Sequence, residues 1–169
     1  MIVTFSLTNG FTAGQHLDLL WQMKDSAPSQ YEAIEWLQDN VEGTPVIVER
    51  TPLISEGVGG THKTVRGHPR VSAFTGLPTV LGSPNHEAAW RGSYEPQAGR
   101  RENVERLYTT TNIAEAKTIL EKYRVEYVYV GGPEHGTYGG AGLSKFATFM
   151  EIVFHNDGVT IYKMRTQED

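Results

Sequence analysis

The chain has 169 residues, the length of a single domain, and its 38% hydrophobic and 21% charged residues argue against wholesale disorder. A net charge of -5 argues against nucleic acid as a partner, because phosphate binding requires a clustered positive field. No stretch reaches the ~18 apolar residues that cross a bilayer, and the absence of cysteine excludes disulfides and thiolate metal sites.

The first firm element in chain order is a helix. Residues 1–28 form a poorly patterned lead-in, in which Leu17–Met23 predicts a short apolar turn against a neighbour. A helix is predicted over 29–41, because Ser29 and Glu32 have capping-box spacing. Its apolar stripe consists of Tyr31, Ile34 and Leu37. Residues 44–49 then predict a buried strand.

The middle of the chain is rich in Gly, Thr, His and Pro. Residues 50–77 have little periodicity, which is typical of a functional or disordered loop. Residues 77–82 predict a second short strand, and residues 85–92 a helical turn after a proline. A helix is predicted over 100–108, with Val104 and Leu107 facing inward.

The last third carries the clearest secondary-structure signals. Asn112 and Glu115 repeat the cap pattern before an inward-facing set, Ala116, Ile119, Leu120 and Tyr123. A strand is predicted over 125–132, and two apolar runs flank the turn signal Asn156-Asp157-Gly158. We therefore predict one α/β domain over 29–169: a layered fold with a mixed, mainly parallel sheet, flanking helices and a C-terminal β-hairpin.

Three sequence patterns approach known nucleotide or nucleophile motifs without completing them. Residues 56–64, EGVGGTHKT, have His62 where a P-loop needs glycine. Gly131-Gly132 lacks the third glycine of a dinucleotide fingerprint, and Pro133 stands where that loop should open a helix. Residues 142–146 supply no nucleophile elbow. We predict no cofactor and no catalytic residue from these patterns.

His86, Glu87, Trp90 and Arg91 form a further candidate group. In a helix, His86 would lie beside Trp90 and Glu87 beside Arg91, at i,i+4. Trp90 replaces the second histidine of the H-E-x-x-H zinc signature, so no metal is predicted. Two interpretations remain: a surface ion pair beside a buried tryptophan, or one wall of a polar pocket.

Arg70, Arg100 and Arg101 add positive charge around this group. Clustered guanidiniums near an aromatic ring suit an anionic or sugar ligand. The same arginines could instead join loops to backbone carbonyls. The acidic residues nearest the loop region are Glu49, Glu56 and Glu87, and a solvated or salt-bridged role is the default for each.

Several linked segments resemble one family in order and composition. They are HPRVSAFTGLPTVLGSPNHEAAWRG, GRRENVERLYTT and VEYVYVGG, preceded by YEAIEWLQDNVEGTPVIVE. Together they resemble the C-terminal soluble part of the YYY-type (Chlor_Arch_YYY) polytopic membrane proteins. That family is similar in turn to membrane glycosyltransferases that use lipid-linked sugars. Ser83 departs from the pattern, because an aromatic residue is expected at that position.

The resemblance implies a location and a set of ligand-binding candidates. It implies that residues 1–28 continue from an N-terminal membrane part and that the domain lies on the extracytoplasmic face of the membrane. The family-like polar positions are Arg70, Thr75, Gly76, His86, Glu87, Trp90, Arg91, Arg100 and Arg101.

Three functions follow as alternatives. The first is a non-catalytic domain that helps to bind a glycan acceptor or a lipid-linked sugar, with the membrane portion of the same protein as its partner. The second is a self-contained hydrolase or transferase that uses His86 and Glu87 as acid and base. The third is a structural domain that packs on membrane loops or partner subunits through an apolar patch near residues 17–23.

Overall fold

The structure is a computed structural model that describes residues 13–50, 53–56, 63–66, 70–82, 92 and 98–165. For residues 13–19, 53–56 and 63–66 it describes the backbone. Described helices and strands are numbered in chain order. Within these ranges no helix is both long enough and apolar enough to cross a membrane.

Two consecutive helices open the described chain. Helix α1 covers Ala13–Ser26, so the lead-in contains a longer regular element than the predicted turn. Helix α2 covers Pro28–Asn40 and begins after Ala27. The predicted Ser29–Glu32 capping box is wrong, because Pro28 starts the helix one residue earlier with the fixed φ that suits a first turn. Ala33, Ile34 and Leu37 are its buried residues.

The main sheet has four strands in the order β1-β4-β6-β5. These are β1 (Val46–Val48), β4 (Val125–Val130), β5 (Met150–His155) and β6 (Thr160–Met164). The strands β2 (Leu53–Glu56) and β3 (Lys63–Arg66) form a separate antiparallel pair.

The predicted α/β fold, the mixed sheet and the C-terminal hairpin are confirmed. Parallel pairing does not predominate in the sheet. Strand β1 pairs with β4 in parallel, whereas β6 pairs antiparallel with both β4 and β5. The physical reason is that the hairpin inserts its second strand beside the central β4. The predicted strand at 77–82 is reduced to one parallel bridge, from Thr79 to Ile47.

Short helices fill the remaining connections. Helix α3 covers Arg70–Thr75, α4 Arg100–Thr109 and α5 Ile113–Lys122. Helix α6 covers Gly132–Tyr138, α7 Gly140–Ser144 and α8 Phe146–Phe149. The predicted cap of α5 is confirmed, since the Asn112 side chain accepts the backbone N–H groups of Ala114 and Glu115 at 3.0 and 3.2 Å.

The core lies on both faces of the sheet, because successive side chains of β4 point in opposite directions. Val128 and Val130 pack on one face with residues of α4, α5 and α8, among them Leu107, Leu120 and Phe146. Tyr127 and Tyr129 pack on the other face with residues of α2 and α3, among them Ala33, Leu37 and Val71. The domain therefore has three layers, with helices on each side of one sheet.

Candidate functional site

A small polar pocket lies where the parallel strands β1 and β4 end. Its lining residues are Gln30, Glu49, Arg50, Arg70, Val71, Tyr129, Pro133 and Glu134, and its volume is about 400 Å³ including the open mouth. We call it the carboxyl-edge pocket. In open α/β sheets, the region outside the carboxyl ends of the strands is the usual place for a ligand.

Glu49 forms one side of the floor. It follows β1 directly and is only 5% exposed. Its Oε2 accepts the backbone N–H of Val71 and its Oε1 that of Ser72, both at 2.9 Å. Burial raises the pKa of this carboxyl from 4.5 to about 7, although the two backbone N–H groups act in the opposite direction. The default of a solvated or salt-bridged Glu49 is wrong, because the carboxylate holds the first turn of α3.

Glu134 forms the other side of the floor and is 3% exposed. Its Oε1 accepts the backbone N–H of Arg50 and its Oε2 that of Gly131, both at 2.9 Å. This carboxylate therefore joins the end of β1 to the end of β4. Burial raises its pKa, and its charge also raises the pKa of Glu49.

Glu134 lies at the pocket floor because it belongs to α6, a helix that was not predicted at Pro133. Pro133 lies in the first turn of α6, where the missing N–H costs nothing. Gly131 is required for a different reason: a Cβ at this position would lie 2.8 Å from Cε1 of Tyr129. The glycine therefore lets the backbone pass the Tyr129 ring that lines the pocket.

The rim is formed by Arg70 and Gln30. Arg70 is exposed at the start of α3, and its Nη1 donates to Oε1 of Gln30 at 3.1 Å. Arg70 also acts to lower the pKa of Tyr129, which burial raises.

The other described candidates lie elsewhere. Thr75 ends α3, where its hydroxyl donates to the carbonyl of Val71 at 2.7 Å and accepts the N–H of Leu77 at 3.2 Å. These bonds close the last turn of α3.

Arg100 donates from Nη1 to the carbonyl of Val80 at 3.0 Å, and its guanidinium lies 6.0 Å from the centre of the Tyr123 ring. Arg101 lies 4.0 Å from Glu105. Neither arginine lines the carboxyl-edge pocket. His86, Glu87, Trp90 and Arg91 lie outside the described residues.

Of the predicted binding residues that the structure describes, it places Arg70 at the pocket. Sequence reasoning missed Glu134, Tyr129, Gln30 and Arg50 as site residues. A usable signal existed: an acidic residue, Glu49, ends one predicted strand, and a second, Glu134, lies two residues after the glycines that end the predicted strand 125–132. Among the described residues, no group of three His, Asp or Glu side chains could hold a metal ion.

Comparison with known proteins does not assign the chain to a family. Neither the comparison with protein-family models nor the comparison with curated proteins gives a match. The resemblance to the YYY-type membrane proteins stays a prediction from the quoted segments.

Proposed function

We propose that this chain is a non-catalytic, extracytoplasmic binding domain of a glycosyltransferase-like membrane protein. In this proposal the carboxyl-edge pocket holds part of a glycan acceptor or of a lipid-linked sugar. The membrane portion of the same protein would be the partner that carries the chemistry. The observation that carries the proposal is the location and lining of the pocket, at the carboxyl ends of β1 and β4.

The lining supports a polar organic ligand. Gln30, Glu49, Glu134 and Arg70 offer planar polar groups, and Tyr129 offers an aromatic wall. Such pockets combine an apolar wall with a few placed polar groups that fix the orientation of a ligand. Arg70 also belongs to the segment that resembles the YYY-type proteins, which links the pocket to that resemblance.

Thermal-shift measurements test binding. The chain would be heated with neutral methyl hexosides, hexose phosphates and nucleotide sugars, alongside Arg70→Ala and the control Arg165→Ala. Arg165 follows β6 at the opposite edge of the sheet from the pocket. A ligand at a hundredfold excess over its Kd stabilises the native state by about 2.7 kcal/mol. We expect a sugar-dependent shift that Arg70→Ala reduces and Arg165→Ala retains.

Two results would contradict the proposal. One is the absence of a shift with every sugar and sugar phosphate. The other is rapid turnover of a free sugar donor by the isolated chain, which would make it an enzyme. The location is tested separately by protease treatment of intact cells that produce the native protein. We expect the domain to be cleaved without lysis, whereas cleavage only after lysis would place it on the other side.

The structural alternative has one observation in its favour. Trp21 on α1 is 62% exposed, within the region where that hypothesis expects an apolar surface. The ammonium group of Lys24 lies 4.8 Å from the centre of its ring. If the domain packs on a partner through α1, Trp21→Ala should weaken that association and leave sugar binding unchanged. Pull-down of the membrane portion with wild-type and Trp21→Ala chains measures this directly.

A further inference from the structure

The hydrogen-bonding capacity of the two buried carboxylates is only partly used. An ionised carboxylate has about four acceptor positions, two on each oxygen. In both Glu49 and Glu134, each oxygen accepts one backbone N–H. The Ser72 hydroxyl also bonds Glu49, and the backbone N–H of Glu134 also bonds its own carboxylate. Among the described residues, about one acceptor position therefore remains on each group, and both groups line the pocket. A ligand that supplies hydrogen-bond donors would complete them.

The charges around the pocket favour a neutral ligand. Two carboxyls, Glu49 and Glu134, and two guanidiniums, Arg50 and Arg70, line the pocket, so their formal charges balance. The carboxyls already repel each other, since the charge of Glu134 raises the pKa of Glu49. A phosphate placed here would add negative charge beside both of them, which disfavours binding. A hydroxylated ligand avoids that repulsion.

The rim and walls fit the same kind of ligand. The Arg70 guanidinium carries five N–H donors, and Nη1 is the one that bonds Gln30. Arg70 is itself exposed and lines the pocket. Tyr129, Pro133 and Val71 supply apolar surface for the C–H groups of a ring. The volume of about 400 Å³ includes the open mouth of the pocket, so a single ring would be only partly enclosed there.

We propose that the carboxyl-edge pocket binds the neighbouring hydroxyl groups of one neutral sugar ring and does not bind the phosphate of a lipid-linked sugar. This inference rests on the proposed function and specifies which part of its ligand this site holds. Hydroxyls would donate to Glu49 and Glu134 and accept from Arg70. The phosphate of a lipid-linked donor would then be bound outside this pocket.

The backbone N–H groups of Arg50, Val71, Ser72 and Gly131 are built-in reporters, because each donates to a pocket carboxylate. We would follow their NMR signals during titrations with a neutral methyl hexoside, the corresponding hexose 1-phosphate and inorganic phosphate. The hexoside should shift these signals equally at low and high NaCl, because a neutral ligand is not screened by salt. Inorganic phosphate should leave them unchanged.

Three variants test whether the hexoside binds at the carboxyl-edge pocket. Arg70→Gln should weaken hexoside binding about tenfold, the loss of one charge-assisted hydrogen bond. Gln30→Ala tests the same rim without removing a charge and should weaken binding less. Arg165→Gln is the matched control and should bind as the wild type does. All three positions are accessible enough that the spectra should retain the dispersion of a folded domain.

Each alternative result has a distinct meaning. If the hexose phosphate and inorganic phosphate shift the reporters while the hexoside does not, the inference is overturned and the proposed function survives. If no probe shifts any signal, both are overturned. If the hexoside shifts signals that Arg70→Gln and Gln30→Ala both leave intact, the sugar binds elsewhere and the inference is again overturned.

Discussion

The described residues bury charged side chains in two places, and one of these places lines the carboxyl-edge pocket. Lys145 lies on the side of α4, where its Nζ donates to the carbonyls of Leu107, at 2.6 Å, and of Gly142. Its ammonium also lies 4.0 Å from the centre of the Phe146 ring. Glu49 and Glu134, by contrast, line the carboxyl-edge pocket. Both arrangements satisfy backbone groups.

The comparison teaches that buried charge alone does not mark a binding site. At Lys145 the ammonium is held by helix-end carbonyls and an aromatic ring, which is a structural arrangement. At the carboxyl-edge pocket the acceptors have capacity left over and adjoin open space. Buried charge therefore becomes evidence for a site when a pocket and unused hydrogen-bonding capacity accompany it. Four changes test this distinction.

The largest expected change in stability is at Lys145. Lys145→Met removes the ammonium and leaves two buried carbonyls without their donor. We expect the free energy of unfolding to fall by about 4 kcal/mol, since each orphaned group costs about 1–3 kcal/mol. Urea denaturation measures this, with the exposed Lys117→Met as the control. Sugar binding by the folded variant should be unchanged, and a weakened affinity would show that the two regions are not independent.

The contribution of the pocket carboxyls to the free energy of unfolding should instead depend on pH. The pKa of Glu49 is about 7 in the folded chain against 4.5 when unfolded, so the folded state binds its proton more tightly. Stability is then greatest below 4.5 and falls as pH rises toward about 7, by about 3 kcal/mol. Glu134 acts in the same direction. Urea denaturation across this range checks the slope.

Variants assign that slope to the pocket. Glu49→Gln should flatten it, whereas the exposed Glu151→Gln should retain it. Glu115 has the opposite sign, because Arg106 lowers its pKa, and its contribution is lost only below the ordinary value of 4.5. A wild-type stability that rises between 4.5 and 7 would contradict the assigned direction for Glu49.

A smaller effect is expected at Tyr108, which joins the two regions. Its ring contacts Phe146, next to Lys145, and its hydroxyl lies 3.0 Å from the carbonyl of Val48 and 2.8 Å from that of Tyr129. Tyr108→Phe should cost about 1.5 kcal/mol through the lost donor. Its double variant with Lys145→Met measures the coupling. Additive losses would support two independent regions.

The smallest change in stability is expected at the pocket rim. Arg70 is exposed, so Arg70→Gln should alter the free energy of unfolding by less than about 0.5 kcal/mol. The same variant should weaken hexoside binding about tenfold. This separation of stability from binding is the behaviour of a site residue. A large loss of stability in Arg70→Gln would instead assign the arginine a structural role like that of Lys145.

Elements with local signals were predictable. The periodicity of 100–108, the Asn112 cap and the Asn156-Asp157-Gly158 turn all act within a few residues, and each is present in the structure. The predicted start of α2 was one residue too late, because the proline in the first turn starts the helix before the residue with capping-box spacing. The proportion of parallel and antiparallel pairing in the sheet was not predictable from local signals, because it depends on where β6 inserts, which is a long-range property.

The pocket was harder to predict, because its residues meet only in three dimensions. Gln30, Glu49, Arg70 and Glu134 come from four separate segments. Arg70 was identified through composition and resemblance. Glu49 was assigned a solvated role because sequence alone does not show that the N–H groups of Val71 and Ser72 would approach it. The predicted group at His86–Arg91 lies outside the described residues and stays a prediction.

The order of the strands in the sheet also constrains how the domain can be made on the ribosome. Strand β6 lies between β4 and β5, so β5 emerges before the strand that connects it to the sheet. Asn156 in the hairpin turn donates to the carbonyl of Ser29 at 3.0 Å and to Glu32, which ties α2 to the turn. Neither contact exists until the hairpin has been synthesised. The layer that contains α2 therefore gains these two contacts only after nearly the whole domain has been made, and a nascent chain stalled before β6 would expose the edge of β4 to chaperones or aggregation.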